Sequence, residues 1–184
     1  MSDDADLDPI TPDFAVLFGF IISMFAKLER QMTIAMAGLL DTDLGTAAIL
    51  MSAAGFSAKR QTLHHINWTT PMAGTFNADL SALLAEIELL TKVRNLIAHS
   101  IWVRGTRPDS IRPMNIDTRG KRLKLFGHED TERDYTVDDI RNEGRKIDAL
   151  QRELIALLES SGLLAKVQAN IDALRPTNPG PPAG

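Results

Sequence analysis

Three side chains near the middle of the chain, Arg94, Asn95 and His99, could together perform chemistry on a phosphate ester. Histidine titrates near neutral pH and can accept or donate a proton, whereas arginine stays charged and can only hold an anion. On a helix, Asn95 and His99 lie one turn apart, close enough for a hydrogen bond. Arg94 and His99 point about 140° apart on an ideal helix, so one helix alone does not direct both groups to one point. A second copy of the chain across a two-fold axis, or a bend and the long arginine side chain, could bring them together.

The element that must position these residues is a helix predicted from about Asn77 to about Trp102. Apolar residues recur along it at the spacing of one helix face: Leu80, Leu83, Ile87, Leu90, Ile97, Ala98 and Ile101. Arg94 falls inside this apolar arc, where a guanidinium needs a carboxylate, a carbonyl, an anion or an opening to water. Arg94 is therefore either paired structurally, with Glu29 or helix-end carbonyls as partners, or part of a site.

This helix is the third of four that the sequence predicts. The first begins at Thr11-Pro12 and runs to about Leu40, with an apolar seam of Phe14, Phe18, Ile21, Phe25, Leu28, Met32, Ala35 and Leu39. The second runs from a cap at Asp41-Thr42-Asp43 to about Ile66. Its seam consists of small residues, which favour close helix packing or a dimer contact: Gly45, Ala48, Ser52 and Gly55.

The fourth helix is predicted to start at Thr136-Val137-Asp138-Asp139, which resembles a capping box, and to continue to Leu174 with a kink at Gly162. Between the third and fourth helices, Met114 to Asp117 and Arg122 to Phe126 flank a glycine turn and predict a β-hairpin. Tyr135 is expected in a further short strand. The sequence thus predicts a mainly α fold, a four-helix up-down bundle with a small β insertion at about 111–136.

Composition bounds the class of protein. A length of 184 residues with 44% hydrophobic residues favours one domain with a real core, assigned to 11–175, between a disordered lead-in at 1–10 and a disordered tail at 176–184. The chain lacks cysteine, which fits a reducing cytoplasm. The uncharged run from Phe14 to Ala26 is too short to span a bilayer, so no membrane association is expected.

The net charge of −4 argues against a wholly basic nucleic-acid binder, but the charge is unevenly distributed. Residues 104–124 contain seven basic and only two acidic side chains. This basic segment begins just after His99. It is either a solvated face or a surface that attracts phosphate, and the candidate phosphate-binding residues are Arg104, Arg107, Arg119, Lys121 and Arg122.

Arg94-Asn95-x-x-Ala98-His99, late in the third predicted helix, resembles the Arg-x4-6-His motif of the HEPN family. The same spacing occurs at Arg60 to His65 and at Arg122 to His128. The first occurrence differs in its context, because asparagine follows the arginine, alanine precedes the histidine, and the helix is apolar. The motif itself covers only these few residues, while the family's helix layout would cover most of the chain.

The resemblance implies a small helical bundle that often dimerises and acts as a metal-independent endoribonuclease, frequently as a toxin or in defence against phage. It implies a catalytic role for Arg94 and His99, and Asn95 would orient His99. RNA and a second copy of the chain are the expected partners, with an antitoxin or regulatory protein as a further one. No metal or cofactor is expected. Members that pair with a nucleotidyltransferase antitoxin commonly carry tyrosine two residues after the histidine, and here that residue is Ile101, which makes such a partner less expected.

Two other interpretations stay open from the sequence. The protein could bind RNA or a nucleotide without cutting it, or it could be a structural bundle that binds a partner protein. Trp102 is interpreted as a lid on the core, with base stacking as the alternative. His64 and His65 could hold a metal ion, but adjacent histidines at a helix end are more often solvated.

Overall fold

The computed structural model describes residues 9–117, 124–126 and 134–174, and it describes side chains for 9–114 and 134–174. Within these residues the protein is mainly helical and carries a small antiparallel sheet. The helices are α1 (Pro12–Leu39), α2 (Leu44–Ser52), α3 (Phe56–Thr69), α4 (Phe76–His99), α5 (Val137–Ser160) and α6 (Leu163–Ala173). The strands are β1 (Ile101–Arg104), β2 (Ser110–Asp117), β3 (Lys124–Phe126) and β4 (Tyr135–Thr136). No helix among the described residues is both long and apolar enough to cross a membrane.

The chain forms two compact units. The first consists of the described residues of Met1–Lys27 and Ala85–Gln151, and the second of those of Leu28–Leu84 and Arg152–Gly184. Buried apolar side chains of the first unit come from α1, α4, the sheet and α5, and include Phe14, Ile21, Ile87, Ile97, Ile111, Ile140 and Ile147. Those of the second unit include Leu28, Met32, Met36, Leu63, Leu80, Leu84, Leu154 and Leu158. The apolar seam predicted for the first helix is thus confirmed along α1, where Phe18 alone is only half-buried.

The sheet is built on β2, which pairs antiparallel with each of the other three strands. Ile101 of β1 lies opposite Met114, and Asn115 lies opposite Phe126 of β3. The hairpin predicted between the third and fourth helices and the short strand at Tyr135 are confirmed. The glycine turn of this hairpin, the predicted tail and most of the predicted lead-in lie outside the described residues.

Three helix boundaries differ from the sequence prediction. The second predicted helix is two helices, α2 and α3, because Gly55 adopts an extended conformation and is the N-cap of α3. The fourth does not merely kink at Gly162 but ends, because this glycine adopts a left-handed conformation with φ of 76°. Finally, α4 ends at His99, because the following Ile-Trp-Val segment consists of β-branched and aromatic residues that pair well in a sheet.

The predicted capping box at the start of α5 is confirmed. The backbone N–H of Thr136 donates to Asp139 Oδ2 at 2.8 Å, and the N–H of Asp139 donates to the Thr136 hydroxyl at 3.2 Å. The carboxylate of Asp139 accepts hydrogen bonds from the backbone N–H and the hydroxyl of Thr136 and from Arg107, and these bonds hold the pKa of this carboxyl below its ordinary value. The start of α5, directly after Tyr135, is therefore fixed by local chemistry.

A buried carboxylate, Asp134, organises the base of the β insertion. Its Oδ1 accepts from Arg112 Nε at 2.6 Å, and the two side chains are 0% and 5% exposed. Its Oδ2 accepts from the backbone N–H groups of Thr106 and Arg107 at 2.7 and 3.0 Å and from the Thr106 hydroxyl at 2.8 Å. The bond from Arg112 and those from Arg107 and Thr106 hold the pKa of Asp134 far below its ordinary value. Asp134, the residue directly before β4, is thus hydrogen-bonded to the loop that follows β1.

Gly105 is the residue that this arrangement requires to be small. A Cβ at this position would lie 2.1 Å from Ser110 Oγ and 2.9 Å from Asp134 Cγ. We expect Gly105→Ala to lower the free energy of unfolding in urea by about 1 to 3 kcal/mol, because the methyl group overpacks a buried network. The matched control is Gly19→Ala in α1, where a Cβ meets nothing within 4 Å. That change should stabilise the helix by up to about 1 kcal/mol, and equal effects of both substitutions would contradict the prediction.

Candidate active site

The apolar stripe of α4 positions the candidate residues, and most of its predicted members are buried. Leu80, Leu83, Leu84, Ile87, Leu90 and Ile97 are the buried residues of this stripe. Ala98 and Ile101 were predicted to belong to it, but Ala98 is exposed and Ile101 lies in β1 and is 47% exposed. Arg94 sits at a stripe position and is half-buried. The apolar side of α4 is therefore buried, and the polar side chains of its last turns remain accessible.

A cleft of about 710 Å³ lies along the last turns of α4 in the first unit. Its polar lining includes Lys92, Asn95 and His99, all exposed and spaced along one side of the helix. Leu89, Val93, Leu96, Ser100 and Tyr135 complete the lining. An imidazole, an amide and an ammonium group that line one open cleft could together transfer a proton to or from a bound anion and stabilise its charge.

Arg94 does not line this cleft, but it contacts Asn95, which does. Its Nη1 donates to Asn95 Oδ1 at 3.1 Å. Among the described residues Arg94 makes no ion pair, and the carboxylate of Glu29, proposed above as a structural partner, binds Lys59 Nζ instead. Arg94 is thus neither sealed in a salt bridge nor placed beside His99 within one chain.

The predicted hydrogen bond between Asn95 and His99 does not form among the described residues. The Asn95 amide oxygen is occupied by Arg94, and the His99 imidazole has no hydrogen-bonded partner in this part of the chain. The role predicted for Asn95 as the group that orients His99 is therefore not seen. Sequence reasoning also gave no role to Lys92, although its position two turns before His99 on the same polar side could have indicated one.

Trp102 is part of the core and does not offer a surface for base stacking. It is 6% exposed, its ring centroid lies 5.0 Å from that of Phe18, and the Tyr135 ring meets it edge-on at 6.0 Å. Tyr135 is half-buried and borders the cleft. The aromatic residue that the cleft does offer is therefore Tyr135, for which the sequence predicted only a strand.

The structure describes two of the five candidate phosphate-binding residues, Arg104 and Arg107. Arg104 is exposed at the end of β1 and has interactions of its own. Arg107 donates to the Asp134 backbone oxygen and, at 2.8 Å, to Asp139 Oδ2, while half of its side chain stays exposed. Arg112, one of the seven cations in the basic segment, is buried against Asp134 and is not available to a ligand. Arg119, Lys121 and Arg122 lie outside the described residues.

A second cleft of about 690 Å³ lies in the same unit and shares Tyr135 with the first. It is lined by Arg107, Asp134, Tyr135, Asp139, Asn142, Glu143, Arg145 and Lys146. Glu143 accepts from Lys146 at 2.6 Å, and Arg145 donates to the amide oxygen of Asn142 at 3.1 Å. The cleft thus combines cations with carboxylates that already have partners.

The two histidines at the end of α3 are engaged in local contacts. His64 Nε2 accepts from Trp68 Nε1 at 3.1 Å, and His65 Nδ1 lies 2.8 Å from the Gln61 carbonyl oxygen. Across the described ranges, no group of three or more His, Asp and Glu side chains is arranged to hold a metal ion. These histidines therefore offer no metal-binding group in the described part of the chain.

The chain matches no known family model, no curated protein and no solved structure. The class that the described residues define is a mainly helical protein with a small antiparallel sheet and an open cleft containing His99.

Proposed function

We propose that this protein is a metal-independent endoribonuclease of HEPN type that acts in the cytoplasm as a toxin or as an effector of defence against phage. The observation that supports the proposal is the cleft at the end of α4, which the exposed side chains of His99, Asn95 and Lys92 line together. The proposal includes a finer description of the fold. In it the four helices of an up-down bundle are α1, the α2 and α3 pair, α4, and the α5 and α6 pair, and the sheet is an insertion in this bundle.

In the proposed reaction, the 2′-hydroxyl of RNA attacks the adjacent phosphorus. The bond between O2′ and phosphorus forms, the bond between phosphorus and O5′ breaks, and the products end in a cyclic phosphate and a 5′-hydroxyl. One neutral imidazole accepts the proton of the 2′-hydroxyl, and one protonated imidazole donates a proton to O5′. Lys92 and Arg94 stabilise the charge that gathers on the phosphate oxygens.

The reaction calls for two proton carriers, and one cleft holds one imidazole. A homodimer supplies the second from His99 of the partner subunit. The same arrangement would bring Arg94 of one protomer to the cleft of the other, which a single chain does not do. Leu89, which lines the cleft and is 63% exposed, offers apolar surface that such an interface would bury.

The alternatives receive different support. A purely structural role for Arg94 called for a partner such as Glu29, but Glu29 pairs with Lys59 and the described contact of Arg94 is a neutral amide. A protein that binds RNA or a nucleotide without cutting it would use the same cleft and cations. Activity separates this second interpretation from the first.

The test is to incubate the purified protein with labelled RNA in the presence of EDTA and to analyse the fragments and the size of the particle. We expect fragments with 2′,3′-cyclic phosphate ends, and a dimer by light scattering. If RNA is bound but left intact, the nuclease proposal is wrong, and the interpretation as a non-cleaving RNA-binding protein takes its place. Cleavage by a strict monomer would contradict the composite site.

A further inference from the structure

Tyr135 is the residue that the two clefts of the first unit have in common. It borders the cleft containing His99 and also the cleft that contains Arg107, Asn142 and Arg145. Each cleft has a volume of about 700 Å³, comparable with the pockets that bind small organic ligands. The two clefts therefore adjoin at Tyr135, and a polymer that occupies the first could extend into the second.

The Tyr135 ring packs against aromatic side chains of the core. The buried Trp102 ring meets it edge-on at a centroid distance of 6.0 Å, and Phe18 packs on Trp102 at 5.0 Å. Its backbone pairs with Ile111 of β2, and the next residue, Thr136, caps α5. A ring fixed in this way loses little conformational entropy when a flat ligand stacks on it.

Among the described residues that line the second cleft, one cation is not paired with a described carboxylate. Asp134 is paired with Arg112, Asp139 binds Arg107, and Glu143 binds Lys146. Arg145, by contrast, forms its one hydrogen bond within the described residues to the neutral amide of Asn142, and it is exposed. An exposed guanidinium held by an amide is suited to bind a phosphate group.

We propose that Tyr135 and Arg145 form a subsite for the nucleotide next to the one at His99, with its base stacked on Tyr135 and its phosphate bound by Arg145. The inference rests on the proposed function, because it takes RNA to be the ligand of the His99 cleft. A base can stack on a side chain only when it is free of a duplex, so the subsite selects unpaired RNA. Tyr135 and Arg145 would then determine specificity without taking part in the chemical step.

The test measures binding of a short, fluorescein-labelled, single-stranded RNA by anisotropy, in the His99→Ala protein so that the probe stays intact. Tyr135→Leu should weaken binding by about 5- to 150-fold, since one stacked base contributes about 1 to 3 kcal/mol. Tyr135→Phe, which keeps the ring, should recover most of that loss. Arg145→Gln should lower the slope of log Kd against log salt by about 0.7, the value for one phosphate contact on a single strand.

Arg141→Gln is the matched control, because Arg141 lies on the same helix, pairs with the exposed Asp138 and does not line the cleft. It should leave the salt slope unchanged. If the His99→Ala protein binds the probe but Arg145→Gln behaves like Arg141→Gln and Tyr135→Phe like Tyr135→Leu, the subsite is wrong and the nuclease stands. If the His99→Ala protein binds no RNA at all, the proposed function fails together with the subsite. Because Arg145 is exposed, its variant tests the subsite even where Tyr135→Leu disturbs folding.

Discussion

Replacing His99 with alanine should reduce RNA cleavage in EDTA by a factor of about 10² to 10⁴, the usual contribution of a positioned acid or base. The physical reason is that His99 is the general acid or base of the proposed reaction, and the described lining of its cleft contains no second imidazole that could replace it. His99 is exposed at the end of α4, so its loss should leave the free energy of unfolding within about 0.5 kcal/mol of the wild type. Single-turnover cleavage rates, measured beside urea unfolding curves, check both parts.

The chain supplies a matched control for this experiment. His65 follows Arg60 at the spacing at which His99 follows Arg94, and His65 is also exposed, on α3. His65→Ala should retain the wild-type cleavage rate if the site depends on its place in the fold and not on the spacing alone. Cleavage that survives His99→Ala, or that falls equally in both variants, would remove His99 from the catalytic assignment.

Replacing Asp134 with asparagine should lower the free energy of unfolding by about 3 to 5 kcal/mol, because the buried Arg112 would lose the carboxylate charge of its buried partner. Urea unfolding at neutral pH measures this change. Asp138→Asn is the control, since the Asp138 side chain is 79% exposed and pairs with Arg141 at the surface. It should cost less than about 1 kcal/mol. Similar losses in the two variants would show that Asp134 is not the centre of this network.

The same pair predicts a dependence on pH with a definite sign. The pKa of Asp134 in the folded chain is lowered, so its contribution to stability is complete above the unfolded value of about 3.9. The contribution is lost as the pH falls from there through the folded value. The difference in unfolding free energy between the wild type and Asp134→Asn should therefore be constant from about pH 5 to 7 and shrink below about pH 4. A difference that grows on acidification would contradict the assignment.

Patterns that repeat along one element could be predicted from the sequence. The apolar seam of α1 and the capping box of α5 each depend on residues a few positions apart, and both were predicted correctly. The hairpin and the strand at Tyr135 followed from similar local patterns. The position of Arg94 on the apolar stripe was also predicted, because helical periodicity alone determines it.

Features that depend on residues distant in sequence could not be predicted. Arg112 is one of seven cations in a short segment, and only the fold brings it to Asp134, 22 residues later. The presence of Tyr135 in the lining of the His99 cleft depends in the same way on the pairing of β4 with β2. The break before α3 was missed because Ala53 and Ala54 are good helix formers and a single glycine does not force a helix to end.

Asp134 has a consequence for how this protein could change over evolution. Its carboxylate joins Thr106, where the chain leaves β1, to the point where it returns to α5, so the two ends of the intervening segment are fastened together at their base. Extending such a segment to twice its length costs only about 0.6 kcal/mol in closure entropy. The residues between β2 and β4 can therefore change in length and charge at a small entropic cost, while β2 keeps its pairing with β1 and β4 and α4 keeps its sequence.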